Sequence, residues 1–204
     1  MADKERLRVS RRDMLRGAGA AAFLGAVHTR ARAQESKAPP GTERIGPGAT
    51  KVEFTLNGKK AAVEVEPRVT LLDALRDRVG LTGTKRICDR GACGGCTVWV
   101  DGKTVNSCMM LAVDAAGSDV TTVEGLAKGG ALHPVQAAFV KHDALQCGFC
   151  TPGMVMSAAW LVDRGRKLAL DDIRHGMAGN LCRCGTYTHI FDAVAEASEG
   201  KGAR

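Results

Sequence analysis

Eight cysteines carry the only obvious chemistry in this sequence, and they fall into two sets of four. The first set is Cys88, Cys93 and Cys96, with Cys108 a short way downstream. Cys88-Asp-Arg-Gly-Ala-Cys93-Gly-Gly-Cys96 spaces its thiols C-x4-C-x2-C, the plant-type [2Fe-2S] ligand pattern. Two irons and two sulfides need four thiolates, and the assembly is anionic. The loop must turn sharply and aim backbone N–H groups at sulfur. Gly91, Gly94 and Gly95 allow the positive φ values and close backbone approach this requires. A structural zinc site is the alternative, but zinc loops usually pair C-x2-C with C-x2-C or with His. The second set is Cys147, Cys150, Cys182 and Cys184, spaced C-x2-C and C-x-C. Four thiols at that spacing suit either a [2Fe-2S] cluster or zinc.

The elements that must position the first set read as strands and one helix. Val52 to Leu56 and Ala61 to Glu66 alternate around Asn57-Gly58, a two-residue hairpin signal. Thr70 can cap a helix, with Asp73 three positions on. Leu71, Leu72, Leu75 and Val79 give that helix an apolar face, and Gly80 ends it. After the cysteine loop, Thr97 to Val100 and Lys103 to Ser107 form a second hairpin through Asp101-Gly102. That hairpin returns Cys108 to the loop. Asp119 to Val123 reads as a further strand.

Near Gly125 the period becomes helical. Pro134 suits a helix start, with Val135, Ala138, Phe139 and Leu145 as its stripe. Thr151-Pro152 reads as the cap and start of a helix over Gly153 to Asp163. Asp171 to Met177 and Tyr187 to Ala197 complete four helices. Each pair of the second cysteine set lies in a turn between helices, so packing two helical hairpins side by side brings four thiols together.

The N-terminus reads as a targeting segment. Residues 1–33 hold eight Lys or Arg against three Asp or Glu, so they account for most of the formal charge of +7. The remaining charge gives no basic stripe interleaved with aromatics, which argues against nucleic acid. Ser10-Arg-Arg-Asp-Met-Leu-Arg16, the small apolar run Gly17 to Val27 and Ala31-Arg-Ala33 resemble a twin-arginine export signal. Met14 stands where that pattern more often has Phe. The apolar run is too short to span a membrane. Export would ordinarily turn eight cysteines into disulfides. The twin-arginine route implies instead a chain carried folded, its thiols already masked as ligands.

A plant-type ferredoxin-like segment followed by His133-Pro-Val-Gln136, Gln146-Cys-Gly-Phe-Cys-Thr-Pro-Gly153 and Gly179-Asn-Leu-Cys-Arg-Cys184 resembles the iron–sulfur subunit of the molybdenum hydroxylases, the xanthine oxidase family. The resemblance runs from about Val52 to Val194. It implies an α+β fold: an N-terminal β-grasp plant-type [2Fe-2S] ferredoxin domain (51–125), then an all-α four-helix [2Fe-2S]-binding domain (126–200). A signal (1–33), a linker or arm (34–50) and a tail (201–204) frame them. It implies that all eight cysteines ligate two [2Fe-2S] clusters, the second nearer molybdenum. Gln146 and the Cys184 segment would approach the pterin. Gly185-Thr186-Tyr187 departs from the common Thr-Gly-Tyr and resembles the bacterial aldehyde and isoquinoline branches.

By that resemblance the chain relays electrons from a molybdopterin centre, of the cytosine dinucleotide form, on a large partner subunit. The acceptor would be flavin, on an FAD subunit, or a cytochrome. An aldehyde is the expected substrate, and an N-heterocycle of isoquinoline or nicotinate type the alternative. A free-standing two-cluster ferredoxin and a zinc-stabilised binding module are the readings of other classes. The sequence offers no nucleophile with a paired base, so substrate chemistry is expected on another chain. The expected location is the periplasm. Lys85, Arg86 and Arg90 surround the first ligands and could raise that cluster's potential, or be solvated loop charge. Met154, Met156 and Met177 read as core, Trp99 and Trp160 as packing, and His133, His142, His175 and His189 as structural or surface residues.

Overall fold

The computed structural model describes Ser10, Arg12, Asp13 and residues 45–165 and 167–200. The export signal expected over 1–33, most of the 34–50 arm and the 201–204 tail lie outside the described residues.

The expected first hairpin forms. Strands β1 (Thr50–Leu56) and β2 (Lys59–Val65) pair antiparallel, with Leu56 opposite Lys59. Asn57 and Gly58 between them take φ of 51° and 79°, the left-handed pair that a two-residue hairpin turn demands. Alternation then buries Val52, Phe54 and Leu56 on one face, together with Val63 and Val65. β3 (Thr97–Val100), β4 (Lys103–Asn106) and β5 (Asp119–Thr121) complete a sheet ordered β2-β1-β5-β3-β4. β5 runs parallel to β1 and antiparallel to β3, so the two hairpins are joined through a central strand. The fold is α+β.

The helix expected over Thr70 to Val79 is shorter and wider than its periodicity suggests. Thr70 Oγ1 accepts a hydrogen bond from the Asp73 N–H at 3.1 Å, as the cap predicts. Only Leu71–Asp73 is α-helical (α1), and Ala74–Arg78 continues as a π-helical turn, with Val79 N–H bonded to Ala74 C=O at 3.1 Å. The wide turn lets Leu71, Leu72 and Leu75 all point into the core at 0% exposure. It also lets the Arg76 guanidinium reach the carbonyls of Thr82 and Thr84, just before the cysteine loop.

Four helices follow: α2 (Pro134–Lys141), α3 (Thr151–Val162), α4 (Leu170–Met177) and α5 (Tyr187–Glu199). His133 makes the N-terminal cap of α2. Its Nδ1 accepts from the Val135 N–H, and its own N–H donates to Gln136 Oε1 at 2.9 Å. α3 is apolar almost all round because it is the central helix, packing on α2, α4, α5 and β3. Met154, Met156 and Met177 are core residues, each under 3% exposed. Two expectations fail here. Leu145 lies past the end of α2 and is 40% exposed. Thr151 does not cap α3: Cys150 holds the N-cap position with helical φ and ψ, and the Thr151 hydroxyl is buried without a hydrogen-bond partner.

Both tryptophans tie the sheet to the helices. Trp99 Nε1 on β3 donates to the Met156 carbonyl at 3.0 Å. Trp160 Nε1 on α3 donates to the Gly102 carbonyl at 2.8 Å, with the Arg164 guanidinium 3.7 Å over its ring. Packing was their expected role. These bonds across the seam are an addition to it.

Candidate metal centres

All eight cysteines are free thiols. They meet as pairs. In the first set the Cys88 thiol lies beside that of Cys93, and the Cys96 thiol beside that of Cys108. Cys108 sits in a single 3-10 turn directly after β4, where the second hairpin was expected to return it. The Gly91 N–H donates to Cys108 Sγ at 3.2 Å and so joins the two pairs. Asn106 Nδ2 donates to the Gly91 carbonyl at 3.1 Å, and the Ser107 hydroxyl to the Cys96 carbonyl at 2.7 Å. These side chains brace the loop from the end of β4 and the turn that carries Cys108. Neither was singled out in the sequence, although both lie within two residues of Cys108.

The protons on these thiols are set by the backbone and by burial. The N–H of Arg90 is the main influence on Cys88. With the Cys93 thiol, it lowers the Cys88 pKa to about 7, since a hydrogen bond to sulfur favours the thiolate. Burial pushes Cys96 up to about 12. The expected cationic ring around the loop is weaker than it looks. Arg86 is bonded to Asp73 and, at 3.0 Å, to Asp77, and those carboxylates raise its own pKa. Lys85 Nζ donates to the Thr82 carbonyl at 2.8 Å.

In the second set the Cys147 thiol lies beside that of Cys184, and the Cys150 thiol beside that of Cys182, so the two interhelical turns do converge. The Phe149 N–H, then the Cys184 thiol, lower the Cys147 pKa. Burial, with the Cys182 thiol beside it, pushes Cys150 up to about 12. Burial would also raise Cys182, but the hydroxyl and N–H of Thr186 outweigh it and bring that thiol to about 7. Thr186 Oγ1 lies 3.2 Å from Cys182 Sγ, and the Tyr187 hydroxyl accepts from the Cys182 N–H at 2.8 Å. The unusual Gly185-Thr186-Tyr187 run is thus turned back onto a cysteine of its own turn. Gln146, Cys147, Phe149 and Cys184, in the two turns, are all exposed.

Four thiols in two adjacent pairs fit a two-iron cluster, because each iron needs two thiolates in addition to the shared sulfides. A backbone N–H already aimed at sulfur fits the same group. Among the described residues, no three His, Cys, Asp or Glu side chains are gathered as they would be around a single ion. A cavity of about 330 Å³ on the β1–β2 face, walled by Phe54, Thr55 and Lys60 among others, has no cysteine in its lining.

The two sets share a seam. The Leu181 N–H, next to Cys182, donates to the Cys93 carbonyl at 2.9 Å. Gly153, in the first turn of α3, packs so tightly on the first loop that a Cβ there would lie 2.2 Å from the Gly94 carbonyl oxygen.

Residues 54–126 match the family described as 2Fe-2S iron-sulfur cluster binding domain, and residues 122–195 the [2Fe-2S] binding domain family. The aldehyde oxidoreductase iron-sulfur-binding subunit PaoA of Escherichia coli O157:H7 is 42% identical, over 94% of this chain and 89% of its own. The nicotine 6-hydroxylase small subunit of Paenarthrobacter nicotinovorans is 44% identical, over 72% of this chain and 88% of its own. Among solved structures, a chain of quinoline 2-oxidoreductase from Pseudomonas putida 86 superposes with a TM-score of 0.71 at 45% identity, covering 75% of this chain and 96% of that one. With two paired-thiol sites on an α+β frame and these relatives across its length, the chain belongs to the iron–sulfur subunits of the molybdenum hydroxylases.

Proposed function

We propose that this chain is the electron-transfer subunit of an exported, molybdenum-dependent aldehyde oxidoreductase. Cys88 with Cys93, and Cys96 with Cys108, hold the two irons of one [2Fe-2S] cluster. Cys147 with Cys184, and Cys150 with Cys182, hold those of the other. When bound, each cluster supplies carriage of one electron at a time. The chain's own part is to hold the thiolates, direct N–H groups at them and keep water from the buried ones. The N–H groups of Arg90, Gly91 and Phe149 and the hydroxyl of Thr186 do the directing. Gln146 and Cys184 face a large molybdopterin subunit, which carries the cytosine dinucleotide form and the substrate pocket. The acceptor of those electrons would be an FAD subunit or a cytochrome.

The observation that carries this reading is the asymmetry between the two sites. Cys93, Cys96 and Cys108 are buried, whereas Cys147 and Cys184 open onto a face with Phe149 and Leu181 more than half exposed. An exposed apolar rim around an exposed ligand pair suits a face that a partner subunit covers. The aldehyde reading is supported by the reach of the PaoA match, which covers 94% of this chain and so extends into the N-terminal segment. The nicotine hydroxylase match stops at 72%. A second reading, oxidation of an N-heterocycle, is favoured by the 45% identity to the quinoline enzyme.

Purification of the tagged full-length chain from its own host tests both. Copurification of a large molybdenum subunit with aldehyde-dependent dye reduction is expected. Dye reduction by quinoline or nicotinate alone would move the assignment to the second reading, and the absence of a large subunit would overturn the partnership. Replacing Arg11 and Arg12 together by Lys should retain the chain in the cytoplasm. Undiminished export would remove the twin-arginine assignment.

A further inference from the structure

The carbonyl between Cys93 and Cys96 is held from both domains. Gly94 C=O accepts from the Thr97 N–H at 3.1 Å and from the Thr97 hydroxyl at 2.7 Å, both within its own loop. It also accepts from Asn180 Nδ2 at 3.0 Å, across 86 residues of chain. Asn180 is 5% exposed, in a protein whose other buried polar side chains among the described residues are all Ser or Thr. Burying a carboxamide is unfavourable unless its hydrogen bonds are made, so this side chain is committed to its partner. Its own N–H donates to the Met177 carbonyl at 3.0 Å, which fixes it to the end of α4.

Nothing larger than hydrogen fits on the carbonyl's own residue. Gly94 has φ of 68°, and a Cβ there would fall 2.5 Å from both Asn180 Nδ2 and the Gly179 carbonyl oxygen. The peptide from Gly94 to Gly95 is planar, so its N–H points opposite to its C=O. Holding the carbonyl toward the helical domain keeps the Gly95 N–H turned away from it. Gly95 itself lies against a ligand: a Cβ on it would be 3.7 Å from Cys93 Sγ. Hydrogen bonds and dipoles at the sulfurs set the potential of a cluster.

We propose that Asn180 is a positioning residue for the other domain's centre: from two residues before Cys182, it fixes the Gly94–Gly95 peptide and thereby the polar surroundings of Cys93 and Cys96. This rests on the reading that the eight cysteines hold two clusters. The helical turn then does two jobs, presenting its own ligands and trimming the potential of the neighbouring site. A side chain that merely glued the domains together would change melting temperature and leave potentials alone.

The test is EPR of the full-length, cluster-loaded chain poised at a series of potentials, for wild type, Asn180→Ala and the near-isosteric Asn180→Asp. Cys108→Ser and Cys150→Ser assign the two signals. The wild type should show both. In both Asn180 variants the signal assigned to the Cys88–Cys108 set should change its g values, and its reduction equilibrium should fall by about threefold or more, as loss of an outer hydrogen bond implies. Asn180→Asp should fall further, because an anionic oxygen replaces the donor. Loss of the Cys88–Cys108 signal from a variant that keeps the other signal also supports the proposal. If that signal keeps its wild-type midpoint and g values while only stability or the helical-domain signal changes, the proposal is overturned. A wild type lacking either signal would instead overturn the two-cluster reading beneath it.

Discussion

The Leu181 N–H donates to the Cys93 carbonyl at 2.9 Å, so one hydrogen bond separates a residue of the first cysteine set from the neighbour of Cys182 in the second. The Leu181 side chain is 54% exposed. What matters at this position is the backbone donor, and the contact survives only while the two domains stay in register. The seam therefore ties the loop of the first cysteine set to the turn of the second.

Gly153→Ala should break that register. The added Cβ would meet the Gly94 carbonyl oxygen, a backbone atom, at 2.2 Å, so neither side can move aside cheaply. A loss of about 1–3 kcal/mol is expected, the usual range for overpacking. Gly179→Ala is the control, because nothing lies within 4 Å of its Cβ position. Thermal unfolding of the two variants should separate them, and equal melting temperatures would contradict this description of the seam.

Removing one tryptophan donor should cost less. Trp160→Phe keeps most of the ring and loses the bond to the Gly102 carbonyl. Trp99→Phe loses the bond to the Met156 carbonyl, in a more buried setting. About 1 kcal/mol each is expected, with the Trp99 change the larger because the carbonyl it abandons is less open to water. Urea unfolding midpoints measure this, and a larger loss from Trp160→Phe would reverse the ranking.

Cluster removal should be ordered. Cys147 and Cys184 are exposed and Cys150 half-buried, whereas Cys93, Cys96 and Cys108 are buried. Treating the isolated chain with a chelator under oxidising conditions should bleach the helical-domain EPR signal first. Reconstitution with the large subunit should protect it. Loss of the Cys88–Cys108 signal first would show that burial does not govern access.

A surface staple between α2 and α5 should give a pH signature. Lys141 Nζ and His142 Nε2 both lie 2.7 Å from Glu196 Oε2, and they hold this carboxyl below its ordinary value of 4.5. A carboxylate whose pKa is depressed on folding stabilises the native state above its unfolded value, and that contribution is lost as the pH falls through its folded value. The stability difference between wild type and Glu196→Gln should therefore be steady above pH 4.5 and shrink below it. A difference that grows on acidification would give the ion pair the wrong sign.

The grouping of the cysteines and the element types could be read from the sequence because they rest on local signals. C-x4-C-x2-C specifies a loop, Asn57-Gly58 a hairpin turn and Pro134 a helix start. Leu71 and Leu75 share a face in an α-helix, so periodicity could not distinguish an α-helix from the π turn that replaces it. Thr151 looked like a cap because sequence alone does not reveal that Cys150 already has helical φ and ψ. Asn180, Asn106 and Thr186 were missed as supports because each acts through tertiary contacts or a turned-back loop. An Asn before a cysteine pair carries no sign that its partner lies 86 residues away.

Metal analysis with low-temperature EPR of the dithionite-reduced, full-length chain tests the central claim most directly. Two thiol-paired sites predict about four irons per chain, no stoichiometric zinc and two distinguishable spin-half signals, as two [2Fe-2S] clusters require. Zinc in the second site with a single EPR signal, or iron for one cluster only, would contradict it.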